Sequence, residues 1–132
     1  MADITDYKIE QLAMAIAKAE GFFKPNSLPA KAHNPGDLER GDLGLGTIAG
    51  KTIFADDDSG WDYLRNQCLL MLTGKSRDYK PDMTFSTIGV IYATPDGGSD
   101  WARNVATALG LDVTNTLNDF LAQPEPTEGQ PA

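Results

Sequence analysis

The sequence predicts an α+β domain in which helices dominate and a small glycine-rich β-hairpin follows the first helix. Apolar residues recur at three- and four-residue steps in a first segment and in about four later ones, as in helices packed on a core. Between the first segment and the later ones, glycines at 41, 44, 46 and 50 lie among apolar residues, as in a short hairpin. At 132 residues the chain favours one domain with a modest core.

The first helix is predicted to begin after Thr5 or Asp6 and to end before Gly21. Thr and Asp are good N-caps because their side-chain oxygens accept hydrogen bonds from free backbone N–H groups, and glycine commonly follows a helix end. Its apolar stripe consists of Ile9, Leu12, Ala13 and Ile16, and Glu20 lies in line with it. The chain from 22 to 38 contains three prolines and is expected to be irregular.

The hairpin is expected to turn at residues 49–51, before the run Asp56-Asp57-Asp58. We interpret that acidic run as a solvated loop, since it lacks the calcium-loop pattern. Ser59 and Asp62 resemble a capping box for a buried helix that ends at Gly74.

Three further helices complete the predicted domain. Thr84 can cap the first of them, and Ser99 or Asp100 can cap the next after a loop at 94–98. The last helix is predicted to begin at Thr114 or Asn115. Residues 123–132 are rich in proline and polar residues, which predicts a disordered tail after a domain of residues 1–122.

Charge and composition argue against several classes of function. The formal net charge of −8 disfavours nucleic acid and anionic membranes as partners. No apolar stretch approaches the ~20 residues that span a bilayer, and the first residues do not resemble a signal peptide. Cys68 is the only cysteine and His33 the only histidine, so a disulfide is impossible within one chain and a His/Cys zinc site or a Ser-His-Asp triad is poorly supported.

Glu20 is the candidate for acid–base chemistry. A carboxylate at a helix C-terminus meets partial negative charge, and the register of the apolar stripe suggests that it faces inward. Both effects raise a carboxyl pKa, which suits a general acid at neutral pH. A solvated glutamate in the last helical turn is the alternative, and spacing alone leaves it open.

Asn34-Pro35-Gly36-Asp37 predicts a type II turn, because proline suits its second position and glycine supplies the positive φ of the third. Asn34 is able to bond backbone groups of the turn or to line a cleft opposite Glu20. Tyr92 closes a helix, and it is either a core aromatic residue or a phenol close to the reacting carboxyl.

These motifs occur in an order that resembles a known family. Glu20-Gly21-Phe22, the Asn34–Leu38 turn and the glycine-rich segment are followed by FADDDSGWDYL, IYATPDGG and WARNVATALGL. The order is similar to small bacteriophage and prophage proteins with the lysozyme-like fold, described as lytic transglycosylases or virion structural proteins. The resemblance covers residues 9–121. It implies that Glu20 is the catalytic glutamate and that Tyr92 lies over the cleft, whereas Asp37 stands where the family more often has asparagine.

The resemblance implies cleavage of the β-1,4 bond between N-acetylmuramic acid and N-acetylglucosamine in peptidoglycan, without a metal or organic cofactor. A lytic transglycosylase needs only Glu20, while a muramidase-type hydrolase would add a second carboxylate, for which Asp37 and Glu39 are candidates. Asn34, Asp37 and Tyr92 are the expected substrate-binding residues. The enzyme would wait in the cytoplasm until release, or travel in a virion, and act at the cell wall.

Two other classes of protein stay open. One is a non-enzymatic virion or glycan-binding module with the same fold, for which other virion proteins are candidate partners. The other is a small helical adaptor that does not contact glycan.

Overall fold

The computed structural model of the protein describes residues 4–39 and 45–125. In these ranges a mainly helical chain carries one two-stranded antiparallel sheet, as predicted. The elements in chain order are α1 Asp6–Ala19, α2 Leu28–Lys31, β1 Thr47–Ile48, β2 Lys51–Thr52, α3 Asp57–Thr73, α4 Phe85–Tyr92, α5 Thr94–Ala108 and α6 Leu117–Ala122. No helix in these ranges combines the length and the apolar character needed to cross a membrane.

The core lies where α1, α3, α4, α5 and α6 meet. Its fully buried side chains are apolar except for Lys8 of α1, whose Nζ donates to Phe120 O at 2.8 Å. Burial of the apolar side chains is the main stabilising contribution to the fold. They include Leu12, Ile16, Leu64, Cys68, Met71, Phe85, Ile88, Val105 and Leu117. Cys68 lies in the helix that the sequence predicts to be buried, and its burial agrees with that prediction.

Helix α5 packs most closely against α4. A Cβ atom on Gly89 would lie only 2.3 Å from the carbonyl oxygen of Gly98, so this crossing requires glycine. The prediction of a loop at 94–98 is wrong, because α5 begins at Thr94, directly after Ala93. Pro95 is compatible with this start because proline is tolerated in the first helical turn. Ile91 lies on the outer side of α4, where it is 44% exposed.

Three further helix starts differ from the prediction. Asp56, and not Ser59, caps α3 by accepting a hydrogen bond from the Ser59 N–H at 2.8 Å. The acidic run is thus the helix start and not a loop, since carboxylates are favourable near the positive end of a helix. Thr116, and not Thr114 or Asn115, caps α6 in a capping box with Asp119. The unpredicted α2 begins after Ser27, whose hydroxyl oxygen accepts from Ala30 N–H at 3.2 Å.

Two predicted N-caps and three predicted helix ends are confirmed. Thr5 caps α1 and Thr84 caps α4, each through its side-chain oxygen. Gly21, Gly74 and Gly110 follow helix ends with positive φ. Most of the predicted tail lies outside the described residues, as do residues 40–44 of the glycine-rich segment.

The hairpin β1–β2 turns through Ala49 and Gly50, which both have positive φ, as a type I′ turn requires. Thr47 pairs with Thr52, and Ile48 pairs with Lys51. This tight turn presents Lys51 beside the end of α1, where the candidate site lies.

Candidate active site

Glu20 is held at the C-terminal cap of α1. Its N–H donates to the Ile16 carbonyl oxygen at 2.9 Å. Phe22 N–H then donates to Ala17 O at 3.1 Å and Gly21 N–H to Lys18 O at 3.2 Å. These two bonds form a Schellman motif, which Gly21 permits by adopting a φ of 81°. The motif fixes the position at which the Glu20 side chain leaves the helix.

A pocket of about 510 Å³ opens at this helix end. Glu20 lines it together with Asp37 from the turn and Lys51 from β2. A second pocket of about 670 Å³ is lined by Asp37 and Lys51 as well, and by Tyr79 and Tyr92. Because both pockets share Asp37 and Lys51, these two side chains stand at the junction of two adjacent depressions. A chain-like ligand could therefore contact both.

The Glu20 carboxyl lies in an environment that favours its protonated form. Burial raises the pKa of Glu20 to about 8, and the negative charge of Asp37 acts in the same direction. The positive charge of Lys51 and the indole N–H of Trp101 oppose this rise. The rise expected from the sequence is thus present, and burial is its main cause. At neutral pH most Glu20 side chains hold a proton that they can donate.

No protein-family model, curated protein or solved structure matches this chain. Among the described residues no group of three or more His, Cys, Asp or Glu side chains could hold a metal ion.

Trp101 belongs to the site, although no motif of the sequence singled it out as a site residue. Its side chain is 3% exposed, and its Nε1–H makes no hydrogen bond of standard geometry with the described residues. The same N–H is close enough to the Glu20 carboxyl to lower its pKa. We therefore interpret the pair as a weak polar contact that falls short of a full hydrogen bond. A buried donor of this kind favours the negative charge that forms when Glu20 gives up its proton.

Asp37 is the second carboxylate in the Glu20 pocket. Its Oδ2 lies 3.5 Å from Lys51 Nζ. Burial raises the pKa of Asp37, and Lys51 opposes that rise. Lys51 also pairs with Glu39 at 2.7 Å, but the Glu39 carboxylate is 64% exposed and lines only the second pocket. Of the two candidates for a second carboxylate, the structure brings Asp37 into the Glu20 pocket.

The predicted type II turn is wrong, although a turn is present. Asp37 N–H donates to Asn34 O at 3.0 Å, but the positive φ values fall on His33 and Asp37, at 53° and 52°, and not on Gly36. Glycine is needed at Gly36 for space, since a Cβ atom would lie 2.7 Å from Leu64 Cδ1. Asp is among the residues that tolerate a left-handed conformation.

Asn34 has no exposed surface, so its side chain does not line the pocket. Its Nδ2 donates to Leu38 O and to Thr52 O, both at 2.9 Å. Its Oδ1 accepts from Leu38 N–H at 2.9 Å. The amide therefore ties the turn to β2 and positions Asp37 and Lys51. Among the roles considered for Asn34, the geometry supports the bonding of backbone groups and not contact with substrate.

Tyr92 joins the turn to α4. Its hydroxyl donates to the Gly36 carbonyl oxygen at 2.7 Å, and its ring stacks on Trp101 with centroids 4.8 Å apart. Burial raises the pKa of Tyr92 well above its ordinary value, with the negative charge of Glu20 as a further cause, so the phenol stays protonated. Its ring lines the second pocket, where Tyr79 lies beside it at 5.7 Å. The phenol is engaged by the turn, whereas the two rings offer an aromatic wall.

Proposed function

We propose that this protein cleaves the glycan strands of peptidoglycan, with Glu20 as the general acid. The observation that carries the proposal is a carboxyl that lines an open pocket and has a pKa raised by burial to about 8. A group with this pKa is able to protonate a leaving glycosidic oxygen at neutral pH. The motif order of the sequence supports the choice of peptidoglycan, and with it a lysozyme-like fold.

The reaction that we favour is lytic transglycosylation. Glu20 gives its proton to the glycosidic oxygen as the bond from that oxygen to the anomeric carbon breaks. The resulting carboxylate then takes the proton of the muramic 6-hydroxyl, whose oxygen attacks the anomeric carbon and leaves a 1,6-anhydro end. One residue serves as acid and then as base, which suits a pKa near neutrality.

Hydrolysis is the second candidate, and Asp37 is the observation that favours it. Its carboxylate shares the pocket with Glu20 and is paired with Lys51. A hydrolase uses a second carboxylate to activate water or to attack the anomeric carbon. In that case Asp37→Asn would abolish turnover, whereas a transglycosylase would keep part of it.

Release of soluble fragments from purified peptidoglycan tests the proposal. Wild-type protein should release them, and Glu20→Gln should not, because the amide cannot donate the acid proton. Mass spectrometry of the fragments separates anhydro ends, which indicate transglycosylation, from reducing ends, which indicate hydrolysis. Equal release by wild type and Glu20→Gln would refute the role of Glu20, and no release by wild type would favour a non-enzymatic glycan-binding module.

A further inference from the structure

The Glu20 pocket carries an excess of positive charge, although the chain as a whole is acidic. Three lysines line it, Lys18, Lys24 and Lys51, against the acidic residues Glu20 and Asp37. The formal net charge of the chain is −8. Because the pKa of Glu20 is raised to about 8, this carboxyl is mostly neutral at pH 7. Among the residues that line the pocket, Asp37 is then the one negative charge, and the three lysines carry three positive charges.

The three lysines are not equivalent. Lys51 is engaged by Asp37 at 3.5 Å and by Glu39 at 2.7 Å. Lys18 and Lys24 are exposed, and neither forms an ion pair with any residue in the described ranges. A cation in the last turn of a helix is favourable by itself, which accounts in part for Lys18. Lys24 lies beyond the end of α1, so the helix does not account for it.

The adjacent pocket shows no such excess. Its cations are Lys51, Lys75 and Arg77, and its acidic residues are Asp37, Glu39 and Asp78. Arg77 is paired with Asp78 at 3.2 Å. Lys75 forms no ion pair with the described residues, but the three cations of this pocket are matched by three carboxylates. The excess of positive charge is therefore confined to the Glu20 side of the junction between the two pockets.

We propose that Lys18 and Lys24 bind a carboxylate of the glycan substrate and so make this enzyme prefer carboxylate-bearing strands over neutral ones. This inference rests on the proposed function. Peptidoglycan offers two sources of that group: the stem peptides, and the lactyl group of muramic acid in strands from which the peptides have been removed. A pocket of about 510 Å³ has room for either. The positive charge also offsets locally the repulsion that an acidic protein meets at an anionic wall.

Binding measured in the absence of turnover tests the inference. We would use Glu20→Gln as the background, since its neutral side chain matches the protonated glutamate and leaves strands intact. Calorimetry at about 10 mM salt, where screening is weak, would compare peptide-bearing strands, peptide-free strands and neutral N-acetylglucosamine oligomers. Adding Lys18→Gln and Lys24→Gln should weaken binding of the charged strands about 3- to 10-fold and leave the neutral oligomers unchanged.

Lys31→Gln is the matched control, because Lys31 is an exposed lysine of the neighbouring α2 that does not line the pocket. It should leave the affinity within about twofold. Of the peptide-bearing and peptide-free strands, the one whose binding the Lys18→Gln and Lys24→Gln pair weakens more identifies the source of the carboxylate.

Equal losses with the lysine pair and with Lys31→Gln, equal losses on charged and neutral glycans, or no binding of charged strands would overturn the inference. Binding of this kind without turnover by wild type would instead leave the carboxylate site standing and refute the enzymatic proposal.

Discussion

Lys51 reaches from the hairpin to Asp37, and its ammonium nitrogen lies 3.5 Å from Asp37 Oδ2 at the edge of the Glu20 pocket. The two charges act on Glu20 in opposite directions, since Asp37 raises its pKa and Lys51 lowers it. Burial alone would lower the pKa of Lys51, but Glu39 and Asp37 together raise it, so Lys51 stays charged. This pair therefore tunes the proposed acid, and its two members can be removed separately.

Lys51→Gln should raise the pKa of Glu20 further above about 8, because the nearby cation is lost. Titration of the glutamate side-chain carboxyl carbons by NMR would measure this shift. Lys75→Gln is the control, since Lys75 lines only the second pocket. A Glu20 pKa that falls or stays constant in Lys51→Gln would contradict the arrangement.

Asp37→Asn should shift the Glu20 pKa in the opposite direction, below about 8. The substitution removes the negative charge that disfavours ionised Glu20, and it frees Lys51 from one partner. Asparagine also tolerates the left-handed φ of 52° at this position, so the turn should persist. The same NMR titration serves as the measurement. Shifts of equal sign in Asp37→Asn and Lys51→Gln would show that one of the two charges does not act on Glu20 as described.

Glu20 should make the fold less stable as the pH rises. The folded chain holds the Glu20 proton up to a pKa of about 8, while an unfolded chain releases it near 4.5. The contribution of protonated Glu20 to the free energy of unfolding is thus fully present below pH 4.5 and is lost as the pH rises to 8. Above that window Glu20→Gln should be more stable than wild type by about 1–3 kcal/mol, a figure reduced for solvent screening, and the gain should vanish in acid.

Urea unfolding between pH 4 and pH 9 would measure this difference. Glu10→Gln is the control, because Glu10 is an exposed partner of Arg65 outside the pocket. Glu10→Gln should change the free energy of unfolding by less than about 1 kcal/mol. This change should not grow between pH 4.5 and pH 8. A constant difference between Glu20→Gln and wild type at all pH values would be inconsistent with a raised pKa.

Gly36→Ala should destabilise the protein by about 1–3 kcal/mol and reduce glycan cleavage. The new methyl group would lie 2.7 Å from Leu64 Cδ1 and 3.1 Å from the Tyr92 hydroxyl, so the turn or these side chains of α3 and α4 have to move. Thermal unfolding and fragment release would record the two effects. Gly97→Ala is the control, since its methyl group would meet Ala93 Cβ at an ordinary 3.8 Å and should stabilise α5 by up to about 1 kcal/mol. Equal stability of the two variants would refute the tight contact at Gly36.

Asn34→Ala should lower the free energy of unfolding by about 2–4 kcal/mol, because it removes the three hydrogen bonds that the buried Asn34 amide makes with backbone groups of Leu38 and Thr52. Urea unfolding would give this figure. Asn66→Ala removes the same amide from an exposed position of α3 and should be nearly neutral. If Asn34→Ala folds with unchanged stability but loses only glycan affinity, Asn34 contacts substrate and the positioning role is wrong.

Much of the fold could be predicted from local chemistry. The caps at Thr5 and Thr84 and the glycine after α1 follow from hydrogen bonds within a few residues, so they are visible in the sequence. The start of α5 could not be predicted in this way. Pro95-Asp96-Gly97-Gly98 has the composition of a loop, but close packing of Gly98 on Gly89 accommodates it in a helix.

The same division holds for the candidate site. The sequence alone determined that Glu20 ends α1 in line with its apolar stripe, because helical register and the following glycine are local properties. Only the tertiary structure decided which groups surround it. Lys51 follows Glu20 by 31 positions in the chain, and Trp101 follows it by 81 positions. No spacing rule in the sequence brings either residue to Glu20. A pKa depends on burial and on charges close in space, so the chemistry of Glu20 was decided by packing.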